Sequence, residues 1–185
     1  MPSGSLLIIT GPPGAGKSTV APLVAGRFDP AVHLESDWLW TTIVRGHIAP
    51  WLPEAHVQNG AVLGAAAAAT RLALGGYTVV LNGIVGPWFL DVVTDEAIPA
   101  GVDVHYVVLR PSLETTLTRA TTRLALVPGT APLTDEGPIR LMWLRFQDLG
   151  WAEAHVIDTT DQDCEETVRL VAARFADGTD RLPPL

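Results

Sequence analysis

Unbroken apolar runs alternate with helix-spaced segments from one end of the chain to the other. Five runs rich in Val, Ile and Leu stand out: Leu6–Thr10, Ala31–Leu34, Thr78–Leu81, Val104–Leu109 and Ala154–Ile157. A strand wetted on one face alternates apolar and polar residues, so these runs predict strands covered on both faces. The helical segments between them have readable ends. Glu54–Leu74 stops at Gly75-Gly76, Pro87 suits the first turn of a helix through about Ala97, and Ser112 suits the cap of one through about Leu124. A further stretch from about Pro138 to Leu149 ends at Gly150, and the last helix covers roughly Cys164–Phe175. Pro22 falls inside the first helix and lacks a backbone donor, which predicts a kink or a short first segment. The proline-rich stretch Val127–Gly137 reads as a mobile connection. Strand and helix alternate throughout with no repeat or linker, which predicts one α/β domain over residues 1–185, a parallel sheet flanked by helices.

Composition narrows the partners. The 185 residues are 48% apolar, enough for a sizeable core in one domain. Twelve basic against twenty acidic residues give a formal net charge of −8, and Lys17 is the sole lysine. A protein that tracks a phosphate backbone carries a basic stripe; none is present, so neither nucleic acid nor an anionic membrane is expected as a partner. Cys164 is the one cysteine, which excludes an internal disulfide and a cysteine-rich zinc site; in an amphipathic helix it is expected to pack. The start MPSGS lacks the basic region of a signal peptide, and the longest apolar run, Gly60–Ala69, is too short to span a bilayer. A cytoplasmic location is expected.

The chemistry is concentrated first at "LLIITGPPGAGKSTV", a strand, then G-x-x-x-x-G-K-S, then a helix. Gly11, Gly14 and Gly16 let the backbone curl so that N–H groups converge on phosphate oxygens, and the helix beginning near Lys17 adds its positive dipole end. Lys17 reaches the terminal phosphates and the Ser18 hydroxyl is an Mg²⁺ ligand in such a loop. ATP is therefore expected on Gly11–Thr19, Ala15 included. A second concentration is "HLESDWLW". Residues i and i+2 of a strand point the same way, so Glu35 and Asp37 are expected to project together past the sheet edge, beside the cradle.

With the P-loop at Gly11–Ser18, "ESD" after the second strand, "VVLRPSLETTLTRATTR" and "VIDTT", nearly the whole chain resembles the P-loop small-molecule kinases. These include gluconate kinase-like, shikimate kinase-like and chloramphenicol phosphotransferase-like proteins. The resemblance implies a P-loop NTPase fold, a five-stranded parallel sheet with a lid (about residues 119–140) and an ATP site at the strands' C-terminal ends. It implies that Asp37 accepts the proton of an attacking hydroxyl or helps Ser18 hold the metal, with Glu35 on the metal side. Arg119 and Arg123 lie four apart on one helical face. By the same likeness Arg119 stacks on adenine, Arg123 reaches phosphate, and Thr159 with Thr160 lies in the loop passing the base. Arg110, Arg140 and Arg145 are weaker candidates.

The third strand departs from the common pattern. Asn82 stands where a Walker B aspartate often sits; it is neutral and a poorer Mg²⁺ ligand, so metal holding shifts to Ser18, phosphates, water and the Glu35/Asp37 pair. Asn82 is a candidate for a substrate hydroxyl. Trp38, Trp40 and Trp51, with Arg45 and His47 between them, offer flat walls for an acceptor in a helical region at about 38–74. His33, His56, His105 and His155 show no metal-ligand spacing and receive no role. The sequence thus predicts an ATP- and Mg²⁺-dependent kinase acting on a hydroxyl of a small molecule such as a sugar acid, a nucleoside or an antibiotic. A regulatory ATPase without an acceptor is the alternative, and a polynucleotide 5′-kinase is disfavoured by the charge.

Overall fold

The computed structural model describes residues 4–64, 67–122 and 133–183. Five strands, β1 (Ser5–Thr10), β2 (Ala31–Glu35), β3 (Thr78–Asn82), β4 (Asp103–Leu109) and β5 (Val156–Ile157), form one sheet in the order β2-β3-β1-β4-β5, parallel at every pairing. The helices are α1 (Lys17–Ala25), α2 (Ser36–Thr41), α3 (His56–Gly64), α4 (Ala68–Leu74), α5 (Leu90–Thr94), α6 (Leu113–Thr122), α7 (Glu136–Arg145) and α8 (Cys164–Asp177).

β1 shows why the runs lack alternation. Leu7 and Ile9 pack with Val20, Val24 and Val171 of α1 and α8, while Leu6 and Ile8 pack on the opposite face with Leu63, Ala69 and Val93. All four strand residues are fully buried. Burial of each such side chain is worth about 1.5–3 kcal/mol, a gross gain that works against the conformational entropy lost when the strand is ordered. β1 also sits between β3 and β4, where the chain leaves the sheet in opposite directions. In open parallel sheets, ligands bind at such a switch point, beyond the strands' C-terminal ends.

The element boundaries differ from the sequence expectation where side chains intervene. β5 begins at Val156 and not at Ala154, because Gly150–His155 winds into a 3-10 turn. Glu153 ties that turn down: its carboxylate accepts from Leu149 N–H at 3.0 Å and forms a bidentate pair with Arg110 at 2.8 Å. The Glu54–Leu74 segment is a 3-10 turn at Pro53–Ala55 followed by α3 and α4. The segment from Pro87 is likewise a 3-10 turn and a short α5 that ends at Thr94, before Ala97. α7 starts two residues ahead of Pro138, where Asp135 caps Gly137, and stops at Arg145, before Leu149. Ser112 caps as expected, accepting from Thr115 N–H at 3.2 Å. α1 continues through Pro22 for nine residues, Lys17–Ala25, instead of breaking there. The 127–137 connection, expected to be mobile, lies outside the described residues up to position 132. No helix of the described residues is long and apolar enough to cross a membrane.

Candidate nucleotide and phosphoryl-transfer site

The loop between β1 and α1 follows from its glycines. At Gly14, φ is +81° and a Cβ would lie 2.4 Å from the Thr116 carbonyl oxygen, so α6 can approach only because no side chain is there. Gly16, at φ +94°, occupies the cap position of α1 in the left-handed region and has open space beside it. Helices begin with N–H groups lacking intrahelical acceptors. Those of Gly16 and Ser18 find no acceptor among the described residues, and the α1 dipole adds partial positive charge there. Lys17 is 8% exposed, and its Nζ donates to the carbonyls of Gly11 at 2.8 Å and Pro12 at 2.9 Å. The ammonium is thus held over the loop that the glycines shape.

From this loop a cleft of about 280 Å³ runs between α1, α6 and the start of α8. Gly14, Ala15, Gly16, Ser18 and Thr19 line one side, with Arg119, Gln162 and Cys164 opposite. The half-buried Arg119 is steered by two bonds from Nη2, to the Thr159 carbonyl at 3.2 Å and the Gln162 carbonyl at 3.3 Å. Thr159 therefore contributes its backbone to placing the guanidinium, while its buried Oγ1 has no partner among the described residues. Thr160 pins the same loop: its hydroxyl accepts from Ser112 N–H at 2.9 Å and donates to Asp158 at 2.6 Å. The Thr160 hydroxyl and N–H hold the Asp158 carboxyl below its usual range. Cys164 corrects the sequence expectation. It is exposed in the cleft wall at the first position of α8 instead of being packed. Arg123 lies outside the described residues.

The acids are arranged differently from the expectation. Glu35 ends β2, but Ser36 already begins α2, so Asp37 stands on the first helical turn and not on a strand extension. The i, i+2 argument fails because the chain turns between the two carboxylates. Ser36 is buried against Gly83, where a Cβ would sit 1.8 Å from Ser36 Oγ, and this contact fixes the start of α2 on the loop leaving β3. Asp37 is half-buried and its carboxylate has no hydrogen-bond partner among the described residues. It does not cap α2; Glu35 occupies that position.

Glu35 is held from the side. β2 and β3 pair in parallel with Glu35 opposite Asn82 and His33 opposite Val80. Val80 faces the α1 side of the sheet together with Ile9, so strand alternation places His33, Glu35 and Asn82 on that side too. Asn82, fully buried, donates from Nδ2 to Glu35 Oε1 at 2.8 Å, and His33 Nε2 lies 2.6 Å from Asn82 Oδ1. The residue read as a Walker B substitute or a substrate contact thus spends its amide on Glu35. A hydrogen bond to a charged group is worth about 1.5–3 kcal/mol net, enough to offset the ~1.5–2 kcal/mol of rotamer entropy that fixing a glutamate costs.

A metal held by substrate phosphates asks for only one or two protein carboxylates plus a hydroxyl, not a full cage. The described residues contain no group of three or more His, Cys, Asp or Glu side chains able to hold a metal. Ser18 lines the cleft, while Glu35, with one oxygen outside the Asn82 bond, and Asp37 stand at the end of β2 and the start of α2 and not in the cleft lining; by donor chemistry the three match the phosphate-shared kind of site.

The remaining candidates separate. Trp38 is 56% exposed and Arg45 is exposed, whereas Trp51 is half-buried and Trp40 packs against the core. The segment carrying Arg45 is anchored on α3: Gln58 brackets Ile48 with bonds of 2.8 and 2.7 Å, and Asn59 donates to the Pro50 carbonyl at 2.7 Å. Arg110 pairs with Glu153 and Arg140 with Glu136, while Arg145 lies over the Trp88 ring at 4.7 Å. His33, given no role from sequence, is the residue that the structure adds beside Asn82 and Glu35. Its signal was its place two residues before Glu35 on one face of β2.

A parallel sheet in the order 2-3-1-4-5, with a glycine loop carrying β1 into α1, defines the class: a P-loop NTPase fold. Solved structures agree. A sugar kinase from Janibacter sp. matches with TM-score 0.69 at 18% identity, over 94% of this chain and 95% of that one. The APS kinase of Mycobacterium tuberculosis in complex with AMPPNP and APS matches with TM-score 0.67 at 19% identity, over 95% and 99%. The Deinococcus radiodurans tunicamycin resistance protein matches with TM-score 0.60 at 19% identity, over 98% and 99%. At such identities the likeness is one of fold, which the chain shares with these proteins. No family model matches the chain, and neither does any curated protein sequence.

Proposed function

We propose that this chain is an ATP- and Mg²⁺-dependent kinase that transfers phosphate to a hydroxyl group of a small molecule. The observation that carries the reading is the continuity of the phosphate cradle with a cleft walled by Arg119 and Gln162–Cys164, room for the rest of a nucleotide. Phosphoryl transfer needs little covalent participation from protein; positioning and charge stabilisation do most of it. Lys17 would exchange its two carbonyl partners for phosphate oxygens, which are stronger, charge-assisted acceptors. Ser18, with Glu35, would hold the magnesium, and Arg119 would lie against the adenine. Asp37 would take the proton as the acceptor oxygen bonds to the γ-phosphorus and the bridging P–O bond to ADP breaks. Arg123, in the lid at about 119–140, would neutralise charge on the transferring group.

The acceptor would lie against the region of about 38–74, with Trp38, Arg45 and Trp51 as its walls. A sugar kinase and an antibiotic-resistance protein among the structures sharing the fold support a small hydroxyl compound as acceptor. The net charge of −8 speaks against a nucleic acid. The test is ATP consumption measured with and without a mixture of sugar acids, nucleosides and hydroxyl-bearing antibiotics. Acceptor-dependent ADP formation supports the reading; ADP formation indifferent to every acceptor favours a regulatory ATPase.

A further inference from the structure

Asn82 sits at the end of β3, where a carboxylate would ordinarily serve the metal, and its contacts say why it is neutral. Its amide nitrogen faces Glu35 Oε1 at 2.8 Å and its amide oxygen faces His33 Nε2 at 2.6 Å. Turned the other way, the amide would oppose its oxygen to the Glu35 carboxylate, acceptor against acceptor. The Glu35 carboxylate, an acceptor, therefore selects the amide orientation, which leaves the Asn82 oxygen to accept from His33 Nε2. The chain of donors runs His33 to Asn82 to Glu35 along one face of two neighbouring strands, on the side of the sheet that α1 covers. An aspartate at position 82 would place two carboxylates at contact distance.

We propose that His33 and Asn82 are positioning residues that hold Glu35 toward the phosphate cradle, so that the carboxylate serving the metal side is supplied by β2 rather than by β3. This rests on the reading of the cleft as a magnesium–nucleotide site and deepens it. The restored acid, Asn82→Asp, should weaken the site instead of repairing it, since the new charge repels Glu35 and its donor is lost. His33→Ala should act through the same carboxylate, whereas His33→Gln keeps an N–H donor to the Asn82 oxygen.

The experiment is calorimetric ATP binding in EDTA and across a Mg²⁺ titration, with the melting temperature of every variant as a fold control. Metal-free ATP affinity should stay within about twofold of wild type in His33→Ala, His33→Gln, Asn82→Asp and Glu35→Gln, because groups supporting a metal ligand act through the metal. The Mg²⁺ concentration for half the metal-dependent gain should rise about 10-fold or more in His33→Ala, Asn82→Asp and Glu35→Gln, the usual scale for such support. His33→Gln should recover to within about threefold, and His33→Ala should add nothing to Glu35→Gln, the non-additivity of residues acting as one unit. Tighter Mg²⁺ coupling in Asn82→Asp, an unchanged Mg²⁺ midpoint in His33→Ala, or losses equal with and without metal would overturn the proposal. If His33→Ala does not fold, His33→Gln and Asn82→Asp decide. Wild-type ATP binding that Mg²⁺ leaves unchanged overturns this proposal and leaves nucleotide binding standing; no ATP binding at all overturns both.

Discussion

Lys17 and Asp37 are the two side chains on which the proposed reaction most depends, and their surroundings set what their loss should do. Lys17 Nζ donates to two carbonyls of its own loop, where phosphate oxygens would replace them; Lys17→Ala should melt near wild type while ATP affinity falls and transfer is lost. Differential scanning fluorimetry with ATP titration checks the first two, and product detection checks the third. Asp37→Asn keeps the shape and removes the base. Because a general base is worth typically about 10²–10⁴-fold, the variant should bind Mg-ATP nearly normally and transfer phosphate at least about 10²-fold more slowly. Recovery of that rate by raised Mg²⁺ would instead make Asp37 chiefly a metal ligand. The cradle was legible in the sequence because its geometry is local: glycine spacing, one lysine, a strand before and a helix after. The His33–Asn82–Glu35 chain was not, since its partners lie 49 and 47 residues apart and meet only through strand register.

At the level of elements, contacts at chain turns decide where the site residues sit. The start of α2 is set by Ser36 lying in the space that Gly83 leaves open. Gly83→Ala should destabilise the fold by about 1–3 kcal/mol, the cost of overpacking, and lower transfer more than ATP binding because α2 carries Asp37. Urea denaturation and steady-state kinetics of one preparation check the two effects. At the other side of the cleft, α8 begins with a full capping box between Asp163 and Glu166. Asp163→Ala should cost about 1 kcal/mol. Most strands were legible as apolar runs because both faces are covered. β5 came out shorter because the Arg110–Glu153 pair bends the residues before it, and Asp37 left the strand because helix α2 starts one residue after Glu35. Neither a long-range ion pair nor a turn in the chain appears in hydrophobic periodicity.

The whole molecule is an acidic α/β sheet protein whose stability should depend on pH through a buried histidine as well as its acids. His105 is buried in β4 with its ring 4.4 Å from that of Phe175, and desolvation holds its pKa below the ordinary 6.5. The unfolded chain therefore binds the proton more readily. Stability from this group is complete above pH 6.5 and is lost as pH falls from there through the depressed folded value. Denaturation midpoints at several values from pH 7.5 to 5 should fall for the wild type, and less steeply for His105→Phe. At this same scale stands the central claim that cradle, cleft and acids together move phosphate from ATP to a small hydroxyl compound. The most direct measurement is mass spectrometry of an acceptor mixture incubated with Mg-ATP and the protein, with Lys17→Ala in parallel. One acceptor should gain a single phosphate with the wild type and none with the variant. A mixture left unphosphorylated by a folded, ATP-binding wild type, or phosphorylated equally by Lys17→Ala, would contradict the account.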